Sequence, residues 1–345
     1  MIEKVQSIQE SVNRFCKKIG SNRKLVQGAG GNVSWKEGEV LWIKASGAWL
    51  ADAGNKEIFV PVCLTSLNQA IVGCSFSETP RVIGKSTLRP SIETLLHGLM
   101  PHKIVAHLHV VEALAILVLK DSERVIKDLV DTSLKWAHVD YFKPGPELAI
   151  AVRQAINSNP EIDILFLKNH GIVVGGATVE DVEVRIEATI AKLKRGFLVS
   201  SSPISSVLDS KEIPEAYRDI YFFIEDPEVQ SLALDSRFLD RIINDWALYP
   251  DQVVFLGPKA YIYENWNEFL SCVDVEALPE LIFIKNIGVF ARKSFGKAGH
   301  AQILNYFDVI SRLNDKAIAS SLSEVQIHEL LDWDAEKYRL GLLKK

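Results

Sequence analysis

Cysteine is sparse in this 345-residue chain: Cys16, Cys63, Cys74 and Cys272 are scattered, and no Cys-x-x-Cys pair occurs. That usage argues against a disulfide framework and suits a reducing compartment, with the four thiols expected as buried packing residues. An excess of basic charge is also lacking. With a formal net charge of −5, the chain has no broad positive field to draw in nucleic acid or an anionic membrane surface. A bound phosphate would have to be held by local dipoles and a metal. Long hydrophobic runs are missing too. The most lipid-like stretch, 104–119, is interrupted by His107, His109 and Glu112 and is too short to span a bilayer. The opening MIEKVQSIQE is polar and has no apolar h-region, which reads as the absence of a secretory signal. A soluble cytoplasmic protein, with neither nucleic acid nor membrane as partner, is the expectation.

What is present is ordinary globular composition, 48% hydrophobic and 24% charged, which excludes a disordered chain. The length exceeds the usual span of one core, so two domains are expected. Residues 3–19 read as an opening helix, with Val5, Ile8, Val12, Phe15 and Cys16 at helical spacing. The turn Gly28-Ala29-Gly30-Gly31-Asn32 follows. Next come two strand-like runs, 33–36 and 40–45, joined by Glu37-Gly38 as a hairpin and closed by Ser46-Gly47. Residues 80–89 form a loop, and Pro90-Ser91 opens a helix to about Leu99 with Ser91 as its cap. Further strands are expected at 104–110 and 162–167, and helices at 112–119 and 179–199. The serine-rich segment 200–210, SSSPISSVLDS, reads as a linker between domains 1–205 and 212–345.

Beyond that linker lies an internal echo. LFLKNHGIVV (165–174) and LIFIKNIGVFA (281–291) both run from an apolar strand into Lys-Asn-x-Gly. Upstream, VDYFKPGPELAIAV (139–152) pairs with VVFLGPKAYIYE (253–264). The second half therefore reads as a degenerate copy of the first. Ile287 stands where the first copy has His170, so the copy is expected to be metal-free.

Histidine placement carries the chemistry. In a strand, residues two apart share a face, so His107 and His109 project side by side. Their Cα atoms stand about 7 Å apart, close enough to clasp one metal. A polar outer face on an edge strand is the competing reading for this pair. His170 sits where an apolar strand stops, and Gly171 lets the backbone turn there. Three neutral imidazoles with no fourth protein ligand would leave an open position, as catalytic sites do. Glu93 lies near the start of the 90–99 helix, where a carboxylate serves either as an acid/base or simply as a partner of the helix dipole. His97, four residues on, is either a supporting partner or a helix-surface histidine.

The turn GAGGNVS lacks the Lys-Ser/Thr of a P-loop. It also has Val33 in place of the third glycine of a dinucleotide fingerprint and leads into strands. Its backbone N–H groups could form an anion nest with Asn32 and Ser46-Gly47, or the segment could be an ordinary glycine turn.

In order, Gly30-Gly31-Asn32-Val33-Ser34, Ser46-Gly47, Pro90-Ser91-Ile92-Glu93, His107-Leu108-His109 and Asn169-His170-Gly171 resemble the pattern of the class II aldolase/adducin family over residues 5–200. The resemblance implies an α/β/α sandwich around a mostly antiparallel sheet, followed here by a smaller C-terminal α/β domain, and a homo-oligomer. It further implies zinc or another divalent metal on His107, His109 and His170, with Glu93 as the catalytic acid/base. A sugar phosphate would be cradled by Gly31, Asn32, Ser46, Gly47 and Ser91. Ile92 departs from the pattern, because the fuculose- and rhamnulose-phosphate aldolases of the family place a second hydroxyl residue there.

The implied activity is a carbon–carbon lyase: retro-aldol cleavage of a sugar or sugar phosphate through an enediolate, with the metal as Lewis acid and Glu93 moving a proton at carbon. Tyr141 is named as a candidate for the aldehyde-side proton donor. The alternatives are a sugar-phosphate 4-epimerase or a decarboxylase on the same site, or a non-catalytic adducin-like interaction module.

Overall fold

A computed structural model describes residues 2–76, 80–197 and 213–343. The chain divides into two compact units, Met1–Gly196 and Phe197–Lys345. The proposed linker at 200–210 lies outside the described residues. Among those described, no helix is long and apolar enough to cross a membrane.

The first unit opens with α1 (Ile2–Gly20), which buries Val12, Phe15, Cys16 and Ile19. The hairpin β1 (Asn32–Glu37) and β2 (Val40–Lys44) follows. It turns at Gly38, whose φ is +55°, and Trp35 stacks on its cross-strand partner Trp42 at 5.5 Å. Two elements that the sequence reading did not pick out come next, β3 (Phe59–Cys63) and α2 (Leu64–Val72). The rest of the unit is α3 (Thr94–Leu99), β4 (Ile104–Leu108), α4 (Val111–Leu117), α5 (Ser122–Leu129), β5 (Trp136–Val139), α6 (Pro146–Ser158), β6 (Ile164–Leu167), β7 (Gly171–Gly176) and α7 (Val179–Leu193). Helix α7 ends before the expected residue 199 and passes into a 3-10 turn at Lys194–Gly196. Its start is fixed by a reciprocal Thr178–Asp181 capping box.

The sheet runs β3-β2-β1-β4-β7-β6-β5. Every neighbouring pair is antiparallel except β5–β6. One face is covered by α2, α3 and α6, where Leu96, Val105, Leu148, Leu165 and Val173 share a core and Leu41, Ile43, Leu67 and Leu95 form another. Helices α1, α4 and α7 lie against the sheet from β1, β4 and β7. This is the α/β/α sandwich with a mostly antiparallel sheet that the motifs implied.

The second unit holds β8 (Tyr221–Phe223), α8 (Pro227–Leu234), α9 (Ser236–Asn244), α10 (Pro250–Leu256), β9 (Ile262–Tyr263), α11 (Trp266–Cys272), β10 (Leu281–Ile284), β11 (Gly288–Arg292), α12 (Lys297–Ile310), α13 (Glu324–Leu331) and α14 (Asp334–Leu343). Its sheet order is β8-β11-β10-β9, with β9–β10 parallel and the other pairs antiparallel. Strands β4-β7-β6-β5 of the first unit have the same order and the same senses.

Backbone bonds at the shared Lys-Asn-x-Gly repeat as well. Lys168 N donates to Val139 O and Lys285 N to Tyr263 O, both at 2.9 Å, while Asn169 N donates to Leu117 O and Asn286 N to Ala233 O. Asn169 and Asn286 both adopt a left-handed turn, with φ of 53° and 56°. The upstream echo fails, however. By strand pairing Val139 corresponds to Tyr263, whereas the matched Val253 lies in helix α10. A short apolar run followed by Gly-Pro reads alike in a strand and in a helix end.

The cysteine expectation also needs correction. Cys16 is buried and Cys63 half-buried, but Cys74 and Cys272 are exposed. Cys74 sits in the turn after α2, with φ of 58°, and Cys272 is the last residue of α11.

Candidate metal centre

His107 is in β4, and His109 comes one residue after the strand's last position. Val105, two residues before His107, packs with Leu96 of α3, so the His107 side chain is directed to the α3 face. His170 follows Asn169 at the β6–β7 turn. Gly171 is required there: a Cβ at that position would stand 2.4 Å from Leu108 O and 3.2 Å from His109 Cδ2. Gly31 has a similar duty on the other side of β4. Its φ is +60°, and a Cβ there would meet His107 O at 2.8 Å. Both glycines let backbone pass against the His-x-His segment.

The three imidazoles converge. They are buried, and their ligand atoms all lie within 4.8 Å of one another. The polar-edge reading of the pair is thereby ruled out, since β4 is an interior strand and His107 is fully buried. His107 Nδ1 lies 3.1 Å from Ile172 O, to which it donates, so its Nε2 carries the bare lone pair. That nitrogen is 3.2 Å from His109 Nε2 and 3.5 Å from Glu93 Oε1, and Glu93 Oε1 is 3.3 Å from His170 Nε2. A lone pair facing a carboxylate oxygen in a buried site is unfavourable unless a proton or a metal ion stands between them. Two nitrogens bound to one tetrahedral zinc stand roughly 3.3 Å apart, close to the His107–His109 separation. The donor set therefore fits a divalent metal.

Helix α3 begins two residues later than Ser91 as its cap suggested. Glu93 occupies its N-cap position, and its side chain makes no cap bond. Ser91 Oγ instead accepts from Glu93 N at 3.2 Å, a local turn that delays the helix. Glu93 is only 7% exposed and is turned to the histidines, which sets aside the helix-dipole reading. Burial alone would raise its pKa. Positive charge placed at His107 and His170, whether a proton or a bound metal ion, together with the Asn32 hydrogen bond and charge at His109, outweighs that and takes it down to about 2, so the carboxylate is ionised at neutral pH.

His97 was not recognised as interior from its spacing. It is fully buried, with Nδ1 2.7 Å from Ser34 Oγ and Nε2 hydrogen-bonded to Asn32 Oδ1. Burial lowers its pKa to about 3, so the ring is neutral. The signal available in sequence was its i+4 spacing from Glu93.

The residues expected to cradle an anion are brought together in part. Asn32 lies opposite His107 in the β1–β4 ladder, and its amide nitrogen donates to Ser91 Oγ at 3.2 Å and to Glu93 Oε2 at 2.7 Å. Ser46 N donates to Arg89 O, and Gly47 has φ +76°. The link between the two turns is Lys44, which sequence reasoning missed. Its buried Nζ donates to Ala29 O at 2.9 Å and to Ala48 O at 2.7 Å, tying the glycine turn to the Ser46-Gly47 turn. A lysine beside Ser-Gly at a strand end was the only hint of this. Ile92 is half-buried between buried Ser91 and Glu93.

Known proteins match the first unit. The family model described as Class II Aldolase and Adducin N-terminal domain matches residues 10–192. An uncharacterized oxidoreductase of Bacillus subtilis, YuxG, is 30% identical over 178 residues, covering 47% of this chain and 25% of that protein. The chain thus spans only about a quarter of that relative's length. The L-fuculose phosphate aldolase of Methanococcus maripaludis is 31% identical over 169 residues, 48% of this chain and 83% of that one. Among solved structures, the N-terminal class II aldolase domain of a conserved protein from Thermoplasma acidophilum has a TM-score of 0.46 at 24% identity, covering 54% of this chain and 91% of its own. The matched residues contain the glycine turn, Glu93 and all three converging histidines. The chain belongs to the class II aldolase/adducin family.

Proposed function

We propose that the protein is a metal-dependent carbon–carbon lyase that cleaves a sugar or sugar phosphate by a retro-aldol reaction. The observation that carries this reading is the convergence of three buried imidazoles, two of which face Glu93 Oε1. His107, His109 and His170 would hold zinc or another divalent ion, which when bound supplies Lewis-acid stabilisation of negative charge on the substrate's carbonyl and hydroxyl oxygens. Glu93, ionised and anchored at one oxygen by Asn32, would take and return the proton at carbon. Gly31, Ser46, Gly47 and Ser91 would face the substrate anion, with Lys44 holding the two turns in register. The likeness to L-fuculose phosphate aldolases supports a phosphorylated substrate. Ile92, in place of a hydroxyl residue, points to a phosphate site that differs from theirs.

Residues 212–345 would be a metal-free relative of the first unit. The shared strand order and the repeated backbone bonds at Lys-Asn-x-Gly support this. By β8–β11 pairing Phe223 takes the place of His107, Glu225 follows where His109 stands, and Ile287 replaces His170.

Metal analysis of the purified protein by mass spectrometry tests the site. One divalent ion per chain is expected, and its loss in a His107→Ala, His109→Ala double variant. Unchanged metal in that variant would end the proposal. A screen of ketose phosphates for aldehyde release then tests the reaction.

A further inference from the structure

Asn32 and Ser34 are two apart on β1 and so share a face, while Glu93 and His97 are one helical turn apart at the start of α3. Those four side chains make one continuous hydrogen-bonded chain: Ser34 Oγ to His97 Nδ1 at 2.7 Å, His97 Nε2 to Asn32 Oδ1, and Asn32 Nδ2 to Glu93 Oε2 at 2.7 Å. We propose that His97 is a positioning residue that, with Ser34, fixes the direction of the Asn32 amide and thereby aims Glu93 at the three histidines. The inference rests on the reading of Glu93 as the acid/base.

The direction of every bond in the chain follows from one end. A carboxylate only accepts hydrogen bonds, so the Asn32 atom facing Glu93 is its NH2 group, and its carbonyl faces His97. His97 Nε2 must then carry the hydrogen. A neutral imidazole has one bare nitrogen, which is Nδ1 and accepts from the Ser34 hydroxyl. If the amide were reversed, its carbonyl would face the Glu93 carboxylate, and its NH2 would find an acceptor at His97 Nε2 only if the ring proton moved to Nδ1 and the Ser34 hydroxyl accepted instead of donating. The carboxylate and the Nε2–H tautomer thus hold the amide between them. With Oε2 held by Asn32, the other oxygen, Oε1, is the one presented to His107 and His170 at 3.5 and 3.3 Å.

The second Asn32 donor goes to Ser91 Oγ. The side chain therefore serves the carboxylate and the Ser91 turn, which assigns Asn32 to positioning the base more than to a substrate anion.

The test has one arm independent of activity. Long-range ¹H–¹⁵N correlation on histidine-labelled protein reads the tautomer of His97 directly. The Nε2–H form is expected, unchanged between pH 6 and 8, and an Nδ1–H or doubly protonated ring overturns the proposal. A chain that failed as an aldolase would still give this answer.

The second arm compares His97→Leu with His97→Gln, whose amide can restore a donor near Nε2. His97→Leu should lower kcat about 10- to 100-fold, with KM within twofold and metal content retained, and His97→Gln should recover most of that loss. A purely structural histidine predicts equal losses that follow melting temperature. Wild-type kcat in His97→Leu, or a Gln variant as impaired as the Leu variant, would refute the assignment. Should His97→Leu not fold, Ser34→Ala gives the tautomer readout alone: the Asn32 carbonyl should still hold His97 in the Nε2–H form, and a switch to the Nδ1–H form counts against the relay.

Discussion

At the scale of single residues, Glu93 separates chemistry from architecture. Its carboxylate is buried, ionised at neutral pH, and held at one oxygen by Asn32 while the other faces two imidazoles. Glu93→Gln keeps the size of the side chain and an oxygen able to accept from Asn32, but removes the base. Turnover is expected to fall by about 10²–10⁴-fold, the usual worth of general acid/base catalysis. Metal content should be retained, because the three imidazoles are untouched. A carboxylate serving only the helix dipole would instead cost about 0.3–1 kcal/mol of stability on removal and leave turnover alone. Assaying turnover and metal on the same preparation distinguishes these patterns, and near-normal turnover would contradict the catalytic role.

At the scale of elements, the site is held where backbone passes closest to the His-x-His segment. Gly171 opens β7 against Leu108 and His109, and even one methyl group there must push on a backbone carbonyl at 2.4 Å. Gly171→Ala is expected to cost about 1–3 kcal/mol, as overpacking does. It should also lower metal affinity, because His109 Cδ2 lies 3.2 Å from the new atom and has to shift. Thermal melting and metal titration check the two effects. Metal affinity equal to that of the wild type would show that His109 is not set by this contact. Much of this was legible in sequence. The hairpin, the strand into His-x-His, and the strand ending at Asn-His-Gly follow from period-two patterning and glycine punctuation, which are local signals. Strand β3 and helix α2 were not legible, because FVPVC runs directly into LTSLNQAIV with no turn residue between them. The burial of His97 and the reach of Lys44 were hidden for another reason: both depend on which strand lies beside which helix, and a one-dimensional pattern does not carry that.

At the scale of the whole molecule, the two units present the same turn in different chemical surroundings, and that contrast is testable. The short echo Lys-Asn-x-Gly kept its meaning because it encodes a left-handed asparagine and a tight strand reversal. The longer upstream echo matched only apolar runs and a Gly-Pro, which fit a strand and a helix end equally well. Gly288 corresponds to Gly171 and adopts φ of +152°, and a Cβ there would meet Gln230 Oε1 at 2.6 Å and Phe223 Cε2 at 2.8 Å. Gln230 is no passive neighbour: its amide nitrogen donates to Ile224 O and Val289 O, and its oxygen accepts from Val289 N. The place that corresponds to the metal face of the first unit is thus occupied by an amide that bridges β11 to the backbone just past β8, with an aromatic ring beside it. Gly288→Ala combines unfavourable φ with this clash and is expected to cost about 1–3 kcal/mol. Stability should therefore fall much as in Gly171→Ala, while metal stoichiometry and affinity stay at the wild-type value. Calorimetry and metal titration on the paired variants decide it. Loss of metal in Gly288→Ala would mean that the second unit takes part in the metal site, and it would overturn the reading of that unit as a metal-free relative.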